Sequence, residues 1–198
     1  MHTNTKLIFA KYGKQFFRPG FRVLEIGPDA FPSSYAQIVN DPTVVWETTD
    51  IADWPQLTYP NAGEYSFPIP ENTYDLVLTG QVIEHVKKIW IWVKELERVC
   101  KPGGYVIIIN PVSWHFHQVP VDCWRIYPDG MRALLEDTSL RVIDSRFESL
   151  ELPGYKRYIP GVSPEWQTPK VRLYHRVAGY FGIPVQRAYD AITIAQKQ

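Results

Sequence analysis

Apolar and polar positions alternate along this chain in runs that switch repeatedly between helical and extended periodicity. Residues 5–17 place Leu7, Ile8, Tyr12 and Phe16 on one side of a helix, and Pro19-Gly20 ends it. An apolar strand over 21–26 follows. Pro32-Ser33-Ser34 supplies a turn and an N-cap for a helix over 35–39, which Asp41-Pro42 breaks ahead of a strand over 43–49. Residues 73–79 read as a further strand. Between 87 and 99, Ile89, Val93, Leu96 and Val99 recur at helical spacing until Lys101-Pro102-Gly103-Gly104 stops the element. Residues 105–109 then form a continuous apolar run typical of a fully buried strand. Pro128 opens a helix to residue 137, and strands are expected over 140–147 and 188–195.

Strands alternating with helices, joined by right-handed crossovers, predict an α/β fold. The expected architecture is a doubly wound, Rossmann-like sheet of seven mostly parallel strands with helices on both faces. Residues 53–70 hold four prolines, Pro55, Pro60, Pro68 and Pro70, so this stretch reads as an irregular loop with room for one short strand. A single domain is expected over 1–198. It comprises an N-terminal helix (1–20), a core (21–148), a cap or partner segment rich in Pro, Gly and aromatics (149–186) and a last strand (187–198).

Composition narrows the function classes. With 21 basic and 21 acidic side chains the net charge is zero, so no global field recruits nucleic acid or an anionic membrane. Two cysteines, Cys100 and Cys123, are too few for a disulfide scaffold or a four-thiolate zinc site, which fits a reducing compartment. The N-terminal residues carry Lys6, Lys11 and Lys14 and lack the apolar stretch of a signal peptide. No run approaches the roughly 20 apolar residues of a membrane span. A cytoplasmic protein without membrane attachment is expected.

Two apolar runs stop abruptly at glycine and polar residues: Val23-Leu24-Glu25-Ile26-Gly27-Pro28-Asp29, and 74–86 with Gly80-Gln81 at its turn. In a parallel sheet such stops lie at the strands' carboxyl ends, where the ligand crevice opens. Gly27 there lets backbone amides approach a ligand. The G-x-G-x-x-G fingerprint is absent because Asp29 and Pro32 occupy its later glycine positions, which argues against a nicotinamide dinucleotide. Glu25 is placed to fix the Gly27 loop or receive a ligand ammonium. Asp50 closes the next strand, where a carboxylate can accept from both hydroxyls of a ribose; Glu47 is the alternative, and a simple turn cap is the bland reading of Asp50.

The stretches 24–28, 67–77, Glu84-His85-Val86 and 100–104 together resemble class I S-adenosylmethionine-dependent methyltransferases, from about residue 21 to 110 and more loosely beyond. The resemblance implies that Glu25 and Gly27 hold the methionine moiety, that Asp50 holds the ribose and that Gly80 and Gln81 line the sulfonium. Pro28 and Ile51, beside them, are counted with the cofactor-binding residues. Asp29 stands where that family usually has a second glycine. S-adenosylmethionine would be the cofactor and S-adenosylhomocysteine the product.

The densest polar cluster, 114–128, follows the strand ending at Asn110-Pro111, so its side chains face the crevice. Here the chain is similar to a methyltransferase subgroup with a His-x-x-Pro-x-Asp-x-Trp-Arg stretch, matched by His117, Pro120, Asp122, Trp124 and Arg125, and associated with sugar or cell-surface polysaccharide synthesis. An acceptor hydroxyl must lose its proton as the new bond forms, which makes His117 the candidate base. Asp122 is the candidate to orient it, and Arg125 to hold an anionic acceptor or pair with Asp122. His115, His117 and Asp122 are too loosely related to specify a metal, and none is assigned. His85, at a helix start, reads as structural.

The expected activity is methyl transfer to a small polar acceptor, a sugar hydroxyl or related metabolite. A non-catalytic cofactor-binding interaction protein and an RNA methyltransferase using the basic, aromatic residues 155–176 are the competing readings. Zero net charge disfavours the nucleic-acid option. A homodimer is compatible with the segment 149–186.

Overall fold

The computed structural model describes residues 3–114, 116–118, 120–151, 173, 177, 180–181 and 188–198. The basic, aromatic run 155–176 and the cap or partner segment 149–186 therefore lie almost wholly outside the described residues, as does His115. The chain opens with α1 (Thr3–Ile8), which continues through a turn of π-helix (Phe9–Gly13) into a 3-10 turn (Lys14–Phe16). Then come β1 (Arg22–Ile26), α2 (Ser34–Val39), β2 (Val45–Thr49) and β3 (Tyr74–Gly80). They are followed by α3 (Ile89–Val99), β4 (Cys100–Ser113), α4 (Pro128–Leu135), β5 (Leu140–Glu148) and β6 (Tyr189–Lys197).

The strands form one sheet in the order β2-β1-β3-β4-β6-β5. The β1–β2, β1–β3 and β3–β4 pairs are parallel, whereas β6 runs antiparallel to both β4 and β5. The expected α/β, Rossmann-like class is found, with six strands among the described residues instead of seven. The missing strand belongs to residues 53–70, which make only isolated bridges, Thr49 with Tyr59 and Gly63 with Ser66. Four prolines there remove the N–H donors a ladder needs. The segment instead folds over the end of β2, where the Tyr59 and Ala62 amides donate to the Thr48 and Asp50 carbonyls.

Both faces of the sheet are covered. On one, Leu24, Ile26, Val77, Val106 and Ile108 pack under α3 and α4 through Trp92, Val93, Leu96, Met131 and Leu135. On the other, Val23, Leu76, Leu78, Ile107, Ile109 and Ile192 meet Ile8, Phe9 and Tyr35 from the N-terminal helix and α2. This two-sided burial explains why β1 and β3 read as largely apolar runs without strict alternation.

Local signals set the element ends. Ser33 caps α2 by accepting from the Ala36 amide at 3.1 Å, and Asn40 ends that helix in the left-handed conformation. The Lys101-Gly104 stop does end α3, yet it lies within β4: Cys100 pairs with Tyr74, and the register shifts before Tyr105 resumes opposite Leu76. Asn4 ties the N-terminal helix to the far end of the sheet, donating to Asp190 Oδ2 at 2.7 Å and accepting from the Leu150 amide at 2.7 Å. No helix among the described residues is long and apolar enough to cross a membrane.

Candidate active site

The carboxyl ends of β1, β2, β3 and β4 meet along one rim of the sheet, and the sequence-predicted residues fall into two groups on it. The first group follows β1 and β2. Gly27 has φ +73° and donates its amide to the Thr49 carbonyl at 3.0 Å, so the β1 turn is bolted to the end of β2. A Cβ at Gly27 would overlap Val82 Cγ2 and stand 3.9 Å from Asp50 Oδ2. Both the left-handed backbone and the close approach of Val82 require glycine there. Asp50 uses Oδ1 to accept from the Ala52 amide at 2.9 Å, which realises the turn-cap reading, while Oδ2 faces Gly27. Pro28 is buried, and Ile51 beside Asp50 is 57% exposed. Glu47 points elsewhere and pairs with Arg22.

Glu25 is fully buried on β1. Its Oε2 accepts from the Ser33 hydroxyl and from Trp46 Nε1 at 2.7 Å, whereas Oε1 has no hydrogen-bond partner. Burial raises its carboxyl to about 7, with the Ser33 and Trp46 hydrogen bonds pulling the other way. Glu25 thus fixes α2 and β2 around the Gly27 loop. Asp29 keeps a negative φ and so does not copy the glycine it replaces; it accepts from the Ser34 amide at 2.9 Å and the Ser34 hydroxyl at 2.7 Å, with Lys6 3.6 Å away. Its work is to anchor the start of α2.

At the end of β3, a Cβ on Gly80 would overlap the Tyr35 hydroxyl, which is buried without a hydrogen-bond partner. Gln81 follows with φ +61°, a conformation that costs roughly 1–2 kcal/mol for a residue with a side chain. Two bonds hold it there: its amide donates to the Ile109 carbonyl at 2.8 Å and its Nε2 to Asp190 Oδ1 at 3.1 Å. Asp190, buried between Asn4, Thr5 and Gln81, is raised to about 7, chiefly by burial. Tyr35 and Asp190 were not read as site residues from the sequence. Nothing in their local pattern distinguishes them from core positions.

The second group sits on the loop after β4, which folds back over the turn after β3. The Cys123 amide donates to the Glu84 carbonyl at 2.7 Å, Trp124 Nε1 to the Val86 carbonyl at 2.8 Å, and Asn110 Nδ2 to the Ile126 carbonyl at 2.8 Å. Within it His117, Asp122 and Arg125 are brought together. Asp122, 1% exposed, receives a forked pair of bonds from Arg125 and the His117 backbone amide at 2.8 Å; its Oδ2 lies 3.5 Å from His117 Nδ1. The Arg125 bonds hold the Asp122 carboxyl well below the ordinary carboxylate range. The Asp122–Arg125 clasp and the orientation of His117 are therefore one arrangement rather than alternatives.

Glu84 and His85, on the 3-10 turn Ile83–His85, face His117 across this loop. The His85 and His117 rings lie edge to face, with centroids 5.1 Å apart. Sequence reasoning took His85 as structural, because nothing linear links it to a histidine 32 positions on. Trp92 packs in the core, while Trp90 is 52% exposed and meets Trp124 edge to face.

The sheet order and the helices on both faces define a Rossmann-like α/β fold. A family model described as "Methyltransferase domain" matches residues 42–108. The chain is similar to an uncharacterized methyltransferase of Schizosaccharomyces pombe, 50% identical over 42 residues, and to one of Mycobacteroides abscessus, 37% identical over 66 residues. Those alignments take in 21% and 31% of this chain, and only 15% and 26% of the relatives' lengths. Among solved structures, a SAM-dependent methyltransferase from Archaeoglobus fulgidus superposes with TM-score 0.63 at 15% identity, covering 97% of this chain and 92% of that one. Phosphoethanolamine N-methyltransferase 2 of Haemonchus contortus, solved with S-adenosyl-L-methionine, gives 0.61 at 16% identity over 98% of this chain and 52% of that one.

Proposed function

We propose that the protein is an S-adenosylmethionine-dependent methyltransferase whose acceptor is a hydroxyl of a sugar or related small polar metabolite. The observation that carries the cofactor assignment is the Gly27 turn at φ +73° with Asp50 Oδ2 beside it, on adjacent parallel strands. That pairing offers a close backbone approach and a carboxylate acceptor at one place, which suits an adenosyl group with its ribose hydroxyls. Ile51, exposed next to Asp50, offers an apolar surface for a base. The match over 42–108 and the fold of the structural relatives support the same reading.

Methyl transfer from a sulfonium is an in-line displacement, so the protein's tasks are alignment, exclusion of water and removal of the acceptor's proton. His117, 30% exposed and set beside buried Asp122, suits that last task. Asp122 positions the ring, with its Oδ2 3.5 Å from His117 Nδ1. Arg125 is committed to Asp122, so its role is to keep the loop's shape rather than to bind an anion alone. The sugar hydroxyl rests on the His-x-x-Pro-x-Asp-x-Trp-Arg resemblance and on the polar character of this loop.

Calorimetric titration with S-adenosylhomocysteine, followed by transfer of a labelled methyl from S-adenosylmethionine to a panel of sugars, tests the reading. Saturable binding that Asp50→Ala weakens about 10–100-fold is expected, with label appearing in a neutral or anionic sugar. Binding with no transfer to any acceptor would favour a cofactor-binding interaction protein. No binding would remove the assignment.

A further inference from the structure

Glu84 is an anomaly in the site as described. Its side chain is 0% exposed, and neither carboxylate oxygen has a hydrogen-bond partner. A buried carboxylate without donors is costly unless it is protonated or neutralised by a cation. The Arg125 guanidinium lies close enough to be felt, but its forked bonds go to Asp122.

Two imidazoles surround this carboxylate. His85 Nε2 lies 3.8 Å from Glu84 Oε1, and one ligand atom from each of Glu84, His85 and His117 can be chosen so that all lie within 4.8 Å of one another. His85 Nδ1 is hydrogen-bonded to the Val121 carbonyl. A carbonyl only accepts, so Nδ1 carries a proton, and Nε2 is the ring nitrogen on the Glu84 side that can serve as a metal ligand. Locking the imidazole tautomer from behind with a backbone carbonyl is the arrangement that typically orients metal-bound histidines. The same carbonyl lies on the loop that carries His117, so the turn and the loop are registered to each other around these donors.

We propose that Glu84, His85 and His117 form a binding site for a divalent first-row transition-metal ion, with open positions that receive oxygen atoms of the methyl acceptor. Two imidazole nitrogens and one carboxylate oxygen suit zinc, cobalt, nickel or iron(II) better than magnesium or calcium, which prefer oxygen ligands throughout. Three protein ligands leave at least one position unfilled, as at zinc sites that bind substrate. Donor atoms about 2.0–2.2 Å from an ion stand roughly 3.4 Å apart in a tetrahedron, so the triad closes by a small movement. The His117 ring, 30% exposed and carried on a loop, is the donor that would shift. An acceptor hydroxyl bound there gives up its proton more readily as its oxygen coordinates the ion. With the ion bound, His117 serves as a ligand and not as the base, so the proton passes to solvent; the oxygen lone pair then forms the new O–C bond as the S–CH3 bond breaks, its electron pair leaving on the sulfur of S-adenosylhomocysteine. That use of the site rests on the proposed methyl transfer; ion binding itself does not.

The test uses tag-free, full-length protein stripped with a chelator and titrated with Co²⁺ in the absence of cofactor, followed by visible d–d absorption and then by Zn²⁺ displacement. The expected result is one ion per chain, displaced by Zn²⁺ and insensitive to excess Mg²⁺. His117→Ala, which removes a partly exposed side chain, should weaken binding at least tenfold. Glu84→Gln should weaken it similarly while leaving the metal-free protein as heat-stable as wild type or more so. No bound cobalt, or binding unchanged in both variants, would overturn the assignment whether or not S-adenosylhomocysteine binds.

Discussion

The two halves of the crevice rim are built by different means. Around Gly27 and Asp50 the geometry is set by backbone: a positive φ, an amide bonded from strand to strand, and a short turn capped by the carboxylate it precedes. Around His117 it is set by side chains on a long loop, held by the Asp122–Arg125 clasp and by docking of Cys123 and Trp124 onto the turn after β3. Backbone-built sites fix one ligand shape. Loops stapled by side chains can be re-lined without disturbing the sheet, and this division suits a common cofactor with a variable acceptor.

The largest effect is expected where the cofactor side has no slack. Gly80→Ala drives a methyl into the Tyr35 hydroxyl at the end of β3, in a packed layer that cannot yield. A loss of about 2–3 kcal/mol in urea unfolding is expected, together with loss of S-adenosylhomocysteine binding. Near wild-type stability would mean that Tyr35 moves easily and that this rim is softer than its geometry implies.

Asp122→Ala should cut the other way. Removing a 1%-exposed carboxylate leaves Arg125 without its forked partner and frees the His117 amide, costing about 2 kcal/mol given Arg125's partial exposure. Hydrogen exchange should quicken across residues 116–125, while affinity for S-adenosylhomocysteine changes less than about threefold. A large loss of cofactor affinity would show that the two halves are not separable.

The smallest effect is electrostatic. The Glu25 carboxyl is raised from 4.5 to about 7, so the folded state holds a proton there that the unfolded chain releases. Between pH 4.5 and 7 the folded form binds more protons, so this group's stabilising contribution is complete below 4.5 and disappears as pH rises through 7. Glu25→Gln should flatten the fall in thermal midpoint over that window. An unchanged slope would shift the effect to Asp190, which burial perturbs in the same direction.

What was legible in the sequence follows the same division. Buried strands β1 and β3 announce themselves as apolar runs, and Gly27 and Asp50 stand at their predicted ends because strand termini are local features. The seventh strand is not found among the described residues, and the prolines of 53–70 already spoke against a ladder there. Asp29 looked like a degraded glycine turn, whereas its carboxylate anchors α2, a partnership set by a serine five residues on. Tyr35 gave no linear signal, and Glu84 and His85 were legible only as part of a family-like stretch and not as site residues. Their meaning comes from long-range contacts: Tyr35 fills the space that Gly80 leaves, and His117 arrives opposite Glu84 only once the loop after β4 doubles back.

The most direct measurement is a crystal structure of the protein soaked with S-adenosylhomocysteine. The ribose hydroxyls should lie within about 3 Å of Asp50 Oδ2, with the homocysteine chain passing over Gly27 and the sulfur turned toward the His117 loop. A ligand bound at the β5–β6 edge, or ribose oxygens far from Asp50, would contradict the account.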